Sequence, residues 1–249
     1  MRMNFNRIAL LLGALSLCVY SCKEEEDPVV QAPTRKVEIS NDGALPGLFS
    51  VSESQLVKFS RGNLYTRTQD GFCFSVFQTD VEKNGYFLGS SSNNWCADSP
   101  VKNGGGKAGI WRTMTKDEMS YLLNDRTNAA SLCGVATIAG TRGLMLLPDA
   151  GNESAIDFKP MSTSWSDNSY SLKEWYELEA AGAVFLPAAG SMFPQRDSTD
   201  VSGLNSFGVY WTSTSSSSSS YVLSFSDANF YFEAGDIYHA NAVRLVKNE

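Results

Sequence analysis

Only two stretches of this chain open as helices, and both open with the same four-residue device. Thr115-Lys116-Asp117-Glu118 and Ser171-Leu172-Lys173-Glu174 are capping boxes. In each, a hydroxyl and the carboxylate three residues on satisfy backbone N–H groups that the first turn of a helix leaves without partners. Met119, Leu122 and Leu123 then share one helical face, as do Trp175, Leu178 and Ala181, and Gly182 is placed to end the second helix. The other apolar residues come in short runs suited to strands: Leu56–Phe59, Phe72–Phe77, Val209–Thr214, Tyr221–Ser226 and Ala242–Val246, with Arg61-Gly62-Asn63 as a turn. From Leu48 onward no second linker interrupts the chain, so one domain of mixed strands and two short helices is expected.

That domain has the material for a core. Of 249 residues, 43% are hydrophobic and 19% charged, with 14 Phe, 10 Tyr and 5 Trp. Trp111, Trp175 and Trp211 are assigned to the interior. The run Leu144-Met145-Leu146-Leu147-Pro148-Asp149-Ala150-Gly151 echoes Ala183-Val184-Phe185-Leu186-Pro187-Ala188-Ala189-Gly190, as two core strands with equivalent exits. Ser90–Gly109, rich in Ser, Asn and Gly, reads as a long loop.

The first residues read as an address. Arg2 and Arg7 precede an apolar run from Ile8 to Tyr20, the n- and h-regions of a secretory signal over 1–21. The run ends Ser21-Cys22, which resembles the lipobox of bacterial lipoproteins. Cys22 would then be the first mature residue and carry acyl chains, each buried methylene adding about 0.8 kcal/mol to anchoring. Lys23-Glu24-Glu25-Glu26-Asp27 is similar to the export signal of lipoproteins that reach the outer face of the outer membrane. Residues 22–47, with Pro28, Pro33 and Pro46, read as a linker, and 48–249 as the domain.

Charge and chemistry motifs remove several function classes. The formal net charge is -7, which repels phosphate backbones, so no nucleic acid partner is expected. The one histidine, His239, disfavours most metal sites and imidazole-based catalysis. Gly104-Gly105-Gly106-Lys107-Ala108-Gly109 has G-x-G-x-x-G spacing, but a polar loop precedes it and Ala108 stands where a P-loop needs Ser or Thr, so it reads as a surface loop. There is no nucleophile elbow. Asp197, Asp200 and Gly203 lack calcium-loop spacing. Asp117 and Glu118 are explained by the helix start. Cys73, Cys96 and Cys133 are an odd number, which leaves one disulfide plus a thiol, or three buried thiols, both open. No cofactor, metal or catalytic residue is assigned.

Several longer segments carry a resemblance. Trp111-Arg112-Thr113-Met114-Thr115-Lys116-Asp117-Glu118-Met119, the stretch Leu178–Gly190, Tyr210-Trp211-Thr212-Ser213-Thr214 and Val243-Arg244-Leu245-Val246 together resemble bacterial surface lipoproteins whose domain is similar to the C-type lectin-like fold, in the branch related to formylglycine-generating enzymes. Some relatives are the variable proteins of diversity-generating retroelements. The resemblance covers 110–249 well and 48–109 weakly. It implies an α+β, C-type lectin-like fold, with two short helices flanking small antiparallel sheets and long loops presenting ligand contacts. It also implies variable positions near the C-terminus, matching Ser215 to Asn241 here. Mutating adenines in an AAC codon yields Asn, Ser, Asp, Tyr, His, Ala, Ile and Phe, the types that crowd this region; Glu233 does not fit that origin. The chain departs from the enzymes of the branch, which use a late cysteine pair, since no cysteine follows Cys133. It also lacks the motifs of calcium-dependent sugar-binding lectins, so the fold implies neither sugar nor calcium.

The expectation is therefore a non-catalytic lipoprotein at the outer membrane, held by its lipid anchor and exposed to the exterior. It would bind an unidentified surface ligand, protein or glycan, through Ser216, Ser218, Ser220, Asp227, Asn229, Tyr231, Asp236, Tyr238, His239 and Asn241. Tyr gives rigid contact area, while Ser and Asn give adaptable hydrogen bonds. Two other readings stand beside it: a structural or adhesin component of a surface assembly, and a polysaccharide-acting enzyme using carboxylates such as Asp149 or Asp227.

Overall fold

A computed structural model describes residues 32–67, 71–90, 92–151, 153–194, 200–215, 219–227 and 229–249. The expected leader, Cys22 and the acidic run after it lie outside the described residues. Pro33–Glu249 forms one compact unit. It is α+β: small, mostly antiparallel sheets with two short α-helices.

Both helices form where their capping boxes place them. The first is α1 (Lys116–Ser120), where the Glu118 N–H donates to Thr115 Oγ1 at 3.1 Å and the Thr115 N–H donates to Glu118 Oε2 at 2.8 Å. It runs on as a wider π-turn over Tyr121–Asp125 that buries Leu122 and Leu123. The second is α2 (Leu172–Ala180), boxed in the same way by Ser171 and Glu174. Gly182 follows it with φ +99°, and its N–H donates to the Glu179 carbonyl at 3.0 Å. Ala181 is the C-cap and only half-buried, so Trp175 and Leu178 carry the buried stripe, joined by Tyr176.

The two echoed runs are neighbours in space. Thr141–Leu146 pairs antiparallel with Val184–Pro187, Leu146 opposite Val184 and Leu144 opposite Leu186. Cys133–Ile138 and Ser169–Tyr170 complete that four-stranded sheet. The strand parts of both runs, 144–147 and 183–186, are apolar because both faces are covered: Leu144 and Leu186 enter the main core, while Met145 and Phe185 meet Trp175 and Leu178.

A second four-stranded sheet places the closing strand Leu245–Asn248 between Leu56–Phe59 and Arg112–Thr113. The expected final strand, Ala242–Val246, thus begins at Leu245; Ala242 instead makes a bridge to Tyr210. Phe72–Phe77 is shorter than expected, ending at Phe74, and Val76 and Phe77 are exposed. The glycine-rich loop turns rather than cradles: Gly105, Gly106 and Gly109 all have positive φ, and Trp111 Nε1 donates to the Gly104 carbonyl at 2.8 Å. Trp111, Trp175 and Trp211 are all buried. No disulfide links Cys73, Cys96 and Cys133, each of which is buried.

The linker ends earlier than expected. Residues 33–47 belong to the domain: Ala44 and Leu45 are buried, Val37 and Ile39 pack on the main core, and Arg35 Nε donates to Glu179 Oε2 at 2.7 Å. Gly47 makes this possible, because a Cβ there would lie 2.3 Å from the Gly182 carbonyl oxygen. Proline spacing excludes a helix here but not an extended arm laid on the core.

Candidate functional site

The expected ligand region folds as a three-stranded antiparallel sheet, Gly208–Ser215, Ser220–Phe225 and Phe230–Gly235. The last of these strands lies inside the stretch Ser215 to Asn241 and was not among the expected strands. Its strand signal is the alternation of Phe230 and Phe232 with Tyr231 and Glu233. Register assigns the faces. Val209, Ser224 and Tyr231 line up across the sheet, and so do Trp211, Val222 and Glu233. Tyr210, Leu223 and Phe232 occupy the opposite face, where Phe230 and Phe232 pack on the main core.

Val209, Val222 and Glu233 of the Tyr231–Glu233 face floor a cleft of about 420 Å³. Its far wall comes from a small sheet that joins Val201–Ser202, Ser191–Met192, Ala240–Asn241 and Phe87–Leu88. Phe193, Phe207, Glu233, Asp236 and His239 line it. A tight turn links sheet and wall: the Tyr238 N–H donates to Asp236 Oδ1 at 2.9 Å, and the His239 N–H to the Asp236 carbonyl at 3.0 Å. That turn throws Tyr238 outward to 71% exposure, while Tyr231 is 47% exposed. The His239 ring meets Phe193 edge-on, with centroids 4.8 Å apart.

Six of the expected contact residues therefore gather on one edge and its adjoining turns. Asp227, Asn229, Tyr231, Asp236 and Tyr238 are exposed, and His239 is partly so. Ser220 and Asn241 are not exposed, though Asn241 lines the wall of the cleft. Both are buried, with Ser220 Oγ donating to the Ser90 carbonyl at 3.0 Å and Asn241 Oδ1 accepting from Ser191 Oγ at 2.7 Å. Their strand positions turn them inward, where they pin the loop and the cleft wall. Ser216, Ser218 and Asp197 lie outside the described residues. Phe193, Phe207 and Glu233 were not foreseen; only Glu233 carried a signal, its alternation with Tyr231.

Of the alternative carboxylates, Asp149 has a structural role. Asp149 borders a hollow of about 620 Å³, but its oxygens accept from Arg126 Nη1 at 2.8 Å and from Ser50 N and Oγ at 2.9 and 2.6 Å. Arg126 in turn donates to the Leu147 carbonyl at 2.9 Å, so Asp149 braces a strand exit. In the C-terminal cleft Ser191 Oγ donates to Asn241 Oδ1 at 2.7 Å. Glu233 Oε1 accepts from Ser224 Oγ at 2.7 Å, which fixes its carboxylate across the sheet. Among the described residues no group of three or more His, Cys, Asp or Glu side chains is placed to hold a metal ion. No helix among them is long and apolar enough to cross a membrane. Burial pushes the Cys96 thiol up to about 12 and the Cys133 thiol to about 11, well outside the range of a reactive thiolate at neutral pH. No known protein family, curated protein or solved structure matches this chain.

Proposed function

We propose that this protein is a non-catalytic, lipid-anchored surface protein that binds a ligand with the edge and turns of its C-terminal sheet, on a C-type lectin-like domain. The observation that carries the reading is the exposure of Tyr231 and Tyr238 on the strand and turn whose Glu233, Asp236 and His239 line the cleft. Large aromatic side chains left in water on a rigid sheet cost solvation without helping the fold, and they are the residues recognition surfaces favour. The scaffold is ordered by its own hydrogen bonds, so little ordering cost falls on binding. The resemblance of 110–249 to surface lipoproteins supports the fold and the address, and the two capped helices beside small sheets agree with an α+β fold. Acyl chains on Cys22 supply the anchor, and an outer-membrane position puts the cleft in reach of protein or glycan ligands outside the cell.

Two measurements test this. Cys22→Ser should abolish incorporation of a labelled fatty acid and move the protein out of the membrane fraction. A ligand recovered by crosslinking to the full-length protein on cells should lose at least about tenfold in affinity for both Tyr231→Ala and Tyr238→Ala. A ligand bound equally by both variants would instead favour the structural assembly role, and glycan turnover abolished by a single carboxylate change would favour the enzyme.

A further inference from the structure

The strand Phe230–Gly235 has one neighbour. It pairs in continuous register with Ser220–Phe225, from Phe225 opposite Phe230 to Ser220 opposite Gly235. Among the described residues no strand pairs with its other side. Natural sheet edges are usually blunted by lysine, proline, a bulge or a covering segment. Here Phe-Tyr-Phe-Glu-Ala-Gly contains neither lysine nor proline, and its register shows no slip. An open row of backbone donors and acceptors on such an edge is a template for another strand.

Charge says what kind of strand. From 197 to 243 the chain carries five carboxylates, Asp197, Asp200, Asp227, Glu233 and Asp236, and no lysine or arginine. Glu233 lies on the edge strand itself, and Asp227 and Asp236 flank it; all three are exposed. The chain's own acidic segment Lys23–Asp27, with four acids to one base, is repelled from this edge. A second copy would bring the same carboxylates to it.

We propose that Phe230–Gly235 is a docking edge that takes an extended, basic segment of a protein partner as a fourth strand. This rests on the ligand-face reading and names the ligand chemistry for it. Pairing would alternate the partner's side chains between two environments. One set lies beside Tyr231 and Glu233 on the cleft side and should be Lys or Arg. The other lies beside Phe230 and Phe232 and should be apolar. The recognised motif is therefore basic at every second position with apolar residues between.

The test uses the full-length protein in detergent and a fluorescent peptide of about eight residues, alternating Lys with Val or Phe. In an added strand, alternate amide N–H groups bond the edge and the others face away. Two further peptides carry N-methyl groups on one or the other alternating set of amides, and a fourth replaces Lys with Glu. The Lys peptide should bind, one N-methylated form should lose at least about tenfold and the other little, and the Glu peptide should not bind. Glu233→Lys should weaken the Lys peptide about tenfold, and Glu233→Gln, which can still accept from Ser224, should weaken it less. Thermal melts of both variants show whether the sheet is kept. Equal binding of both N-methylated forms, or no binding of the Lys peptide at about 1 mM, overturns the docking edge. Either result leaves the ligand face itself to be judged on Tyr231 and Tyr238.

Discussion

Arg244 Nη2 donates to Gln78 Oε1 across 2.6 Å in the interior of the domain. Gln78 Nε2 passes the contact to Glu179 Oε1 at 3.0 Å, and Arg35 Nε closes on Glu179 Oε2 at 2.7 Å. The closing segment, a central loop, α2 and the N-terminal arm are thus tied through one buried polar network. Burial lowers the Arg244 pKa below that of an exposed guanidinium, and the Tyr210 hydroxyl and Glu179 oppose that shift. Removing Arg244 leaves Gln78 Oε1 with the Phe185 N–H alone, at 2.9 Å, and opens a void in the interior. Arg244→Ala should cost about 3–5 kcal/mol. Arg244→Met, which keeps volume and brings no charge, should cost less. Urea unfolding monitored by circular dichroism gives both values, and equal midpoints for wild type and Arg244→Ala would remove the network as a source of stability.

Core and edge should respond oppositely to truncation. Trp211 is fully buried and its Nε1 donates to the Phe87 carbonyl at 2.6 Å. Trp211→Ala should cost about 3–5 kcal/mol. Tyr238→Ala, at a side chain already in water, should stay within about 0.5 kcal/mol. Thermal melts of the two variants separate folding from recognition before any ligand is in hand.

The capping boxes carry unequal loads. Thr115→Ala should cost about 1 kcal/mol through the loss of the N-cap bond. Glu118 closes its box and also takes both arms of Arg112, at 2.7 and 2.7 Å. Glu174 closes the other box from the open surface, where hydrogen bonds with Ser171 hold its carboxyl below the usual range. Glu118→Ala should therefore destabilise more than Glu174→Ala, and the reverse order in a denaturant series would show that the Arg112 pair contributes nothing.

Alkali should loosen this domain. Burial raises the Cys133 thiol to about 11 and the Cys96 thiol and the Tyr86 hydroxyl to about 12. These groups ionise more readily in the unfolded chain, at about 8.5 for thiols and about 10 for tyrosine. Above about pH 9 the unfolded state binds fewer protons than the native state, so stability falls as pH rises. The stabilisation is whole below the unfolded pKa values and is lost as pH climbs toward about 12. Urea midpoints at pH 7, 9 and 10.5 should decline in that order, and a thiol reagent at pH 8 should modify Cys96 and Cys133 only after denaturant is added.

Local signals were the legible ones. Capping boxes located both helices, and apolar runs located the paired strands of the echo. Bulk alone placed the three tryptophans inside. Apart from the return of Tyr221–Ser226 against Val209–Thr214, pairing partners were not legible, because neighbours far apart in the chain depend on topology rather than composition. Ser220 and Asn241 have the same side-chain chemistry as true surface contacts, and only strand register turns them inward. Phe193 and Phe207 reach the cleft from distant stretches whose own sequence carries no mark of it. The arm before residue 48 read as linker because the Gly47–Gly182 contact that seats it joins positions far apart in the chain.

The alternation of Phe230–Gly235 has an evolutionary corollary. Positions 231 and 233 bear none of the core, while 230 and 232 are committed to it. Substitution tolerance along this strand should rise and fall with a period of two residues. A lineage under pressure to change what it recognises could rewrite one register of the strand again and again while the other stays constant.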